Sequence, residues 1–281
     1  MRIAVFGASG FIGSHLVAAL RTRGDDVRVA SMREPHAAAA AAGGMDALVN
    51  LAGEPIAQRW NADVKHRIRE SRTTTPSKFF DALAHVDPKP RAYISASAIG
   101  YYGTSEEDKF TESSPPRMDF LAQVCVEWES VAQRGREYGM RVACVRNGLA
   151  LGRDGGVLER ILPIFKTGTG GRLGSGKQWY SWIHIDDLVD LYLLAIDKLD
   201  GAVNGTAPNP VRNKEFTEAL GQTLHRPAAL PVPKFALKMV LGEAADMALQ
   251  GQCVLPERAL AEGFRFKYPT LESALANLVS S

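Results

Sequence analysis

The sequence predicts an α/β protein, a doubly wound parallel sheet followed by a smaller, mostly helical cap at the C-terminus. Three observations predict it. Apolar strand-like runs alternate with amphipathic helical stretches as far as about Lys198, the rhythm that builds a parallel sheet with helices on both faces. The first run turns at once through Gly7, Gly10 and Gly13 into the first helix. Beyond about Leu151 the texture changes to glycine-rich loops, and then to a helical stretch punctuated by Pro227, Pro231 and Pro233. The expected division is therefore a sheet domain over 1–225, with loops of its open end from about 151, and a cap over 226–281.

A chain of 281 residues suits one large domain or a sheet domain with a small cap, and 46% hydrophobic residues supply a core. A net charge of +2 gives no general electrostatic case for nucleic acid or anionic membrane. Cys125, Cys144 and Cys253 are widely spaced and odd in number, which indicates neither a disulfide framework nor a zinc site. No apolar run approaches a bilayer span, and the chain enters its first strand without a basic n-region or cleavage site. The expectation is a cytoplasmic protein, monomer or homodimer, whose partner is a small molecule.

Element by element, Arg2–Phe6 is the first strand and Phe11 to about Arg23 the first helix, with Phe11, Ile12, Leu16, Val17 and Leu20 on one face. Gly24 closes that helix, and Asp26–Ser31 reads as the second strand. In this context the glycine turn is the dinucleotide-binding signature of a Rossmann-type sheet. Gly7 permits the sharp turn, Gly10 removes a side chain that would block a pyrophosphate, and Gly13 lets helix and strand pack closely. The helix start, with Phe11 and Ile12, offers unpaired N–H groups and a positive dipole end to the anion.

At the end of the second strand, Arg33 suits the 2′-phosphate of NADP, while Glu34 beside it argues for the ribose hydroxyls of NAD; NADP is favoured. The alanine run 37–42 reads as a short helix or a slack connector. Only twelve residues separate Arg33 from Asp46, too few for a helix–strand–helix excursion, so the usual third strand is expected to be missing or vestigial. Ala47–Leu51 is the next buried strand; the small residues in Asn50-Leu51-Ala52-Gly53 at its end let an adenosine approach the backbone, with simple helix–sheet packing at Ala52-Gly53 as the competing reading. Residues 61–86 are polar and helical in pattern, and 91–96 form a strand. A helix over 119–138, a strand over 141–146, a short apolar helix over 158–165 and a helix running to about Lys198 complete the pattern. The helices at 61–86 and 119–138 either pair across a dimer or cover the sheet.

Gly7-x-x-Gly-x-x-Gly13, Asn50-Leu-Ala-Gly53 and Ser95-Ala-Ser97 followed by Tyr101-Tyr102-Gly103 resemble an extended short-chain dehydrogenase/reductase. Asn50-Leu-Ala-Gly-Glu-Pro-Ile56, Ser95 to Gly103, Trp182-Ile-His184 and Gly251-Gln-Cys-Val-Leu-Pro256 with Gly263-Phe264 resemble, more narrowly, its atypical "epimerase family protein" branch, a putative nucleoside-diphosphate-sugar epimerase group with a small C-terminal domain of its own. The resemblance runs from Met1 to about Leu278. It implies a Rossmann domain binding NADP(H), with Arg33, Leu51, Ala52 and Arg72 near the cofactor. From the residues alone, Arg72 reads as a surface charge on a helix.

Active members of the wider family carry a Tyr and a Lys four apart on the helix after the serine strand, where Tyr exchanges the proton and Lys lowers its pKa. Counting back from Glu129 puts Leu121 and Cys125 there, a loss shared by the narrower branch. Ser97 is placed to hydrogen-bond a substrate carbonyl, and Tyr101 or Tyr102 to supply a phenol; an aromatic wall is the competing reading for both tyrosines. Cys125 reads as packed core, His184 as a capping or core histidine, and Asp186 and Asp187 as an N-cap before Leu188. The glycine-rich stretch 167–176, with Arg172 and Lys177, reads either as an anion-binding loop on the substrate side or as a hinge. Two functions follow: an NADP(H)-dependent oxidoreductase or epimerase-like enzyme acting on an unknown small polar substrate, or a catalytically silent NADP(H)-binding protein whose cap meets a partner.

Overall fold

A strand inside a parallel sheet is covered on both faces, so it reads as a continuous apolar run rather than an alternating one. Arg2–Phe6 behaves that way, with four of its five residues buried. In the computed structural model, which describes residues 1–228 and 230–279, it is the first strand of a larger sheet.

The chain begins β1 (Arg2–Phe6), α1 (Phe11–Thr22), β2 (Asp26–Ala30), α2 (Pro35–Ala42), β3 (Ala47–Asn50), α3 (Ala62–Arg72), α4 (Thr74–Leu83) and β4 (Ala92–Ala98). It continues through β5 (Lys109–Phe110), α5 (Phe120–Gln133), β6 (Arg141–Asn147), β7 (Leu149–Gly152) and α6 (Gly156–Lys166). Next come β8 (Trp179–Tyr180), β9 (Trp182–His184), α7 (Ile185–Asp197), β10 (Gly201–Gly205), β11 (Val211–Arg212) and α8 (Asn213–Thr223). The remainder holds α9 (Lys234–Leu241), α10 (Asp246–Leu249), β12 (Cys253–Val254), α11 (Glu257–Ala261) and α12 (Leu271–Val279).

Six strands pair in the order β10-β6-β4-β3-β1-β2, all parallel. On one face, α1 and α7 bury Leu16, Leu20, Leu188 and Tyr192 against Ile3, Val5, Ile94 and Val145. On the other, α2, α4 and α5 pack Ala38, Phe79, Phe80 and Ala132 against Phe6, Leu48, Tyr93 and Val142. The sheet is thus doubly wound, as the alternating pattern implies.

Three local outcomes have simple causes. The alanine run is the helix α2: Pro35 starts it without needing a donor, and Ala38, Ala39 and Ala42 are small enough to lie against the sheet. The chain passes directly from α2 to β3, so β2 is the edge of the sheet and, among the described residues, no strand lies beyond it. The helical stretch 61–86 is two helices, broken at Thr73. Pro76 has no N–H to give the Arg72 carbonyl, so the ladder stops there and restarts with the proline inside the first turn of α4. The stretch 119–138 likewise ends early as an α-helix, tightening into a 3-10 turn over Arg134–Tyr138 before Gly139 at φ +74°.

The sixth strand, β10, has only Ala202 and Val203 as apolar residues and shows no strand signal in the sequence. A third core joins Leu158 and Phe165 of α6, Phe216 and Leu220 of α8, and Leu271 and Leu275 of α12. Position 226 separates α8 from α9, and α12 returns across that point to pack on α8. Among the described residues no helix is long and apolar enough to cross a membrane, and no cluster of three or more metal-ligating side chains occurs.

Candidate functional site

Ligands of open parallel sheets bind beyond the carboxyl ends of the strands. There the glycine turn does what its residues require. Gly7 has φ +83°, and a Cβ on it would stand 2.7 Å from the Ala52 nitrogen and the Leu51 carbonyl carbon, so β3 can pass close behind the turn. A Cβ on Gly13 would stand 2.2 Å from the Gly7 oxygen, which explains the tight packing of α1 on β1. At Gly10 the only close neighbour would be the Gly7 oxygen at 3.3 Å, and the space beyond stays open. No side chain caps α1, so the first N–H groups of the helix, those of Phe11, Ile12 and Gly13, are left for an anion.

Phe11 offers only its backbone. Its ring is wedged under the loop 152–156, where Cβ atoms on Gly152 and Gly155 would lie 2.4 and 2.2 Å from it. Ile12, from α1, likewise packs against the core. Arg33 is exposed just past β2, its guanidinium in no ion pair among the described residues, with Glu34 exposed beside it. Because β2 is the sheet edge, no further strand among the described residues walls this end of the site.

Arg72 is not the surface charge its sequence position indicates. Its guanidinium reaches to 3.0 Å from where a Gly53 Cβ would be and lies 4.9 Å from the centre of the Trp128 ring. Nη1 donates to the Glu54 and Ile68 carbonyls, while Nη2 and Nε carry no hydrogen bond among the described residues. Desolvation by burial lowers its pKa. An arginine with open donors, half-buried beside the end of β3, fits a polyanionic ligand.

The second half of the site is a row of polar side chains across the sheet. Ser97, Arg146 and Asn204 are register neighbours on β4, β6 and β10, so they project to the same face as α5. Glu129 of α5 closes the row from above. Ser97 Oγ donates to Glu129 Oε1 at 2.7 Å, and Arg146 grips the same carboxylate through Nε and Nη2 at 2.7 and 2.8 Å. Arg146 Nη1 donates to the Tyr102 hydroxyl, which in turn donates to Asn204 Oδ1. Arg146 is 4% exposed and Glu129 13%, so this is a largely desolvated ion pair. Burial opposes the charge on Arg146, but Glu129 more than compensates and its pKa is raised.

That network corrects two expectations. Tyr102 and Ser97 are both buried, 0% and 2% exposed; what sets Tyr102 apart is a hydroxyl committed both as acceptor and as donor, pushed up to about 12 by burial, so it braces the sheet. Ser97 already donates its one hydrogen bond to Glu129, which conflicts with donation to a carbonyl. Tyr101 differs: it is half-buried, its ring lies 3.5 Å from the Arg146 guanidinium, and its hydroxyl has no partner among the described residues. Leu121 and Cys125 do face the turn after β4, since a Cβ on Gly100 would lie 3.4 and 3.9 Å from them. Burial pushes the Cys125 thiol up to about 12, leaving it inert packing. Glu129 and Arg146 escaped the sequence reading. The available signal was one helical stripe, Leu121-Cys125-Glu129 at four-residue spacing, ending in a charge.

The glycine-rich stretch 167–176 is also corrected. The N–H groups of Leu173, Gly174, Gly176 and Lys177 are spent on Asn213 Oδ1, the Val232 and Leu173 carbonyls and Ser175 Oγ, so they form no anion cradle. The glycines instead admit a neighbouring chain: a Cβ on Gly171 would fall 1.6 Å from the Leu230 oxygen. His184 is a buried N-cap, its Nδ1 accepting from the Asp186 N–H and its ring stacked on Tyr268. It takes the role expected of Asp186 and Asp187. The Asp187 carboxylate instead accepts from the Lys267 and Tyr268 N–H groups.

The model of the NAD dependent epimerase/dehydratase family matches residues 3–209. The chain belongs to that family. A domain of unknown function, DUF1731, matches residues 232–278. Among relatives, the chloroplastic "Epimerase family protein SDR39U1 homolog" of Arabidopsis thaliana is 44% identical over 298 residues, covering 98% of this chain and 86% of that protein. The "Epimerase family protein YfhF" of Bacillus subtilis is 36% identical and covers 100% of this chain and 98% of its own. Human SDR39U1, crystallised with NADPH, superposes with a TM-score of 0.92 at 33% identity over 100% of both chains. A UDP-glucose 4-epimerase from Thermotoga maritima, at 18% identity and a TM-score of 0.83, shares the fold.

Proposed function

We propose that this chain binds NADP(H) across the glycine turn, and that it is an oxidoreductase or epimerase-like enzyme for a small polar substrate. The observation that carries the cofactor is the NADPH in the human relative, which matches this chain end to end. Three features of the chain support it: the unpaired N–H groups at the start of α1, Arg33 at an open sheet edge where a 2′-phosphate would sit, and Arg72 with unused donors beside Gly53. When bound, the nicotinamide supplies hydride exchange with a substrate carbon. In this reading the Gly7–Gly13 turn, Leu51, Ala52 and Arg72 hold the dinucleotide, while Ser97 and Tyr101 meet the substrate. Tyr101 has the phenol with an uncommitted proton.

A second reading, a catalytically silent NADP(H)-binding protein, is favoured by one observation. Leu121 and Cys125 stand where a proton-exchanging Tyr–Lys pair would be, and neither residue can do that work.

Fluorescence titration with NADPH and NADH, on the wild type and on Arg33→Ala, tests the cofactor. Loss of one exposed charge-assisted contact should weaken NADPH by about tenfold or more and leave NADH nearly unchanged. Failure of either nucleotide to bind at micromolar levels would remove the basis of both readings. Turnover of NADP(H) with a panel of small alcohols and carbonyls, lost in Ser97→Ala, separates enzyme from silent binder.

A further inference from the structure

The neighbours of Ser97 fix which way its hydrogen bonds run. A serine hydroxyl has one proton and two lone pairs. Arg146 donates to both oxygens of Glu129, so both act as acceptors, and the 2.7 Å contact from Ser97 Oγ to Oε1 has the serine as donor. Only lone pairs remain on Ser97. Turning its proton toward a ligand carbonyl would exchange a charge-assisted hydrogen bond for a neutral one about half as strong. It would also leave Glu129 Oε1 with Arg146 Nε as its one donor in a nearly dry interior. Tyr102 offers no alternative, because its proton is held by Asn204.

We propose that Ser97 meets its ligand as a hydrogen-bond acceptor, so that the end of β4 selects a hydroxyl or amine over a carbonyl of the same size. Glu129 is the positioning residue that imposes this polarity, and Arg146 holds Glu129 in place. The inference rests on the reading that a small polar ligand reaches Ser97 beside the cofactor.

The test measures binding, on the full chain saturated with NADPH, of two fragment pairs that do not exchange hydride. The pairs are phenol against pyridine N-oxide and 1-methylcyclohexanol against N-methyl-2-piperidone, titrated by ligand-observed NMR. The donor of each pair should bind at least about tenfold tighter than the acceptor. In Ser97→Ala the ratio should fall to about one. The double variant Glu129→Met/Arg146→Met, with its fold checked by circular dichroism, frees the Ser97 proton and should also bring the ratio to one or below, which a merely structural role for Glu129 would not do. Preference for the acceptors, a ratio unmoved by Ser97→Ala, or no fragment binding at all while NADPH is bound would each overturn the proposal. If NADPH itself fails to bind, the cofactor reading falls separately, and the fragment ratio on the free protein still decides the polarity of Ser97.

Discussion

Replacing Arg146 with methionine keeps an unbranched, flexible stem, though a shorter one, and removes its charge. Glu129 is then left as a carboxylate 13% exposed, with Ser97 as its remaining donor among the described residues. Breaking a buried pair from one side costs about 3–5 kcal/mol, because the surviving charge is desolvated without compensation. Glu129→Met strands Arg146, 4% exposed, and should cost about as much. The double variant strands no charge. It leaves Ser97 and Tyr102 each short of one partner, a loss of about 1–3 kcal/mol. Urea unfolding followed by fluorescence reads all three. With an m-value of roughly 3 kcal/mol/M, each single variant should lower the midpoint by about 1–2 M, and the double should recover most of that. The non-additivity is the signature of a pair acting as a unit. Single variants costing less than about 1 kcal/mol, or a double as unstable as the sum of the singles, would refute the view that this ion pair is desolvated and holds the end of the sheet together.

Tyr102→Phe removes a hydroxyl bonded to Arg146 and Asn204 and should cost about 1–3 kcal/mol in the same assay; Tyr101→Phe, whose hydroxyl is unpartnered, should stay within about 0.5 kcal/mol. The His184 pKa is lowered, first by burial, with Asp186 and Asp187 opposing and Lys267 assisting. A depressed base binds fewer protons folded than unfolded, so its stabilisation is present above the unfolded pKa of about 6.5 and fades as pH falls below it. Urea midpoints at pH 7.5 and 5.5 should therefore fall more for the wild type than for His184→Asn, which keeps a capping side chain without the titration. Gly171→Ala would drive a Cβ to 1.6 Å from the Leu230 oxygen, so limited proteolysis should cut near residues 228–234 faster than in the wild type.

The inner strands β1, β3 and β6 were legible because buried parallel strands are apolar runs, and the glycine turn because its glycines answer to local backbone geometry. Gly13 packs on Gly7 and Ala8 of its own strand–turn–helix unit, so that spacing carries the information, whereas the close neighbours of Gly7 are Leu51 and Ala52 at the end of β3. The missing third strand was legible from chain length alone. By contrast β10 was invisible: two apolar residues suffice for a strand when Arg146 and its neighbours on β6 supply the pairing edge. Arg72 looks like any polar helix residue until α3 docks beside the end of β3 and buries it.

Residue type by itself did not separate like from like. Tyr101 and Tyr102 are adjacent, yet the turn after β4 sends one into the interior and leaves the other half-exposed. The glycines at 7–13 and at 168–176 look alike in composition. In the first set Gly10 borders open space, whereas Gly171 in the second admits another stretch of the same chain.

The sequence alone therefore determined the fold class and the glycine turn, which are written in local patterns along the chain, while the missing Tyr–Lys pair was read from the resemblance to the wider family. Tertiary structure decided the direction of the hydrogen bond at Ser97. Ser97, Glu129, Arg146 and Asn204 come from three strands and a helix, and they meet only because parallel register aligns the strand ends beneath α5. Hydrogen-bond direction depends on which acceptor stands within 3 Å of a hydroxyl, and only the folded chain sets that distance.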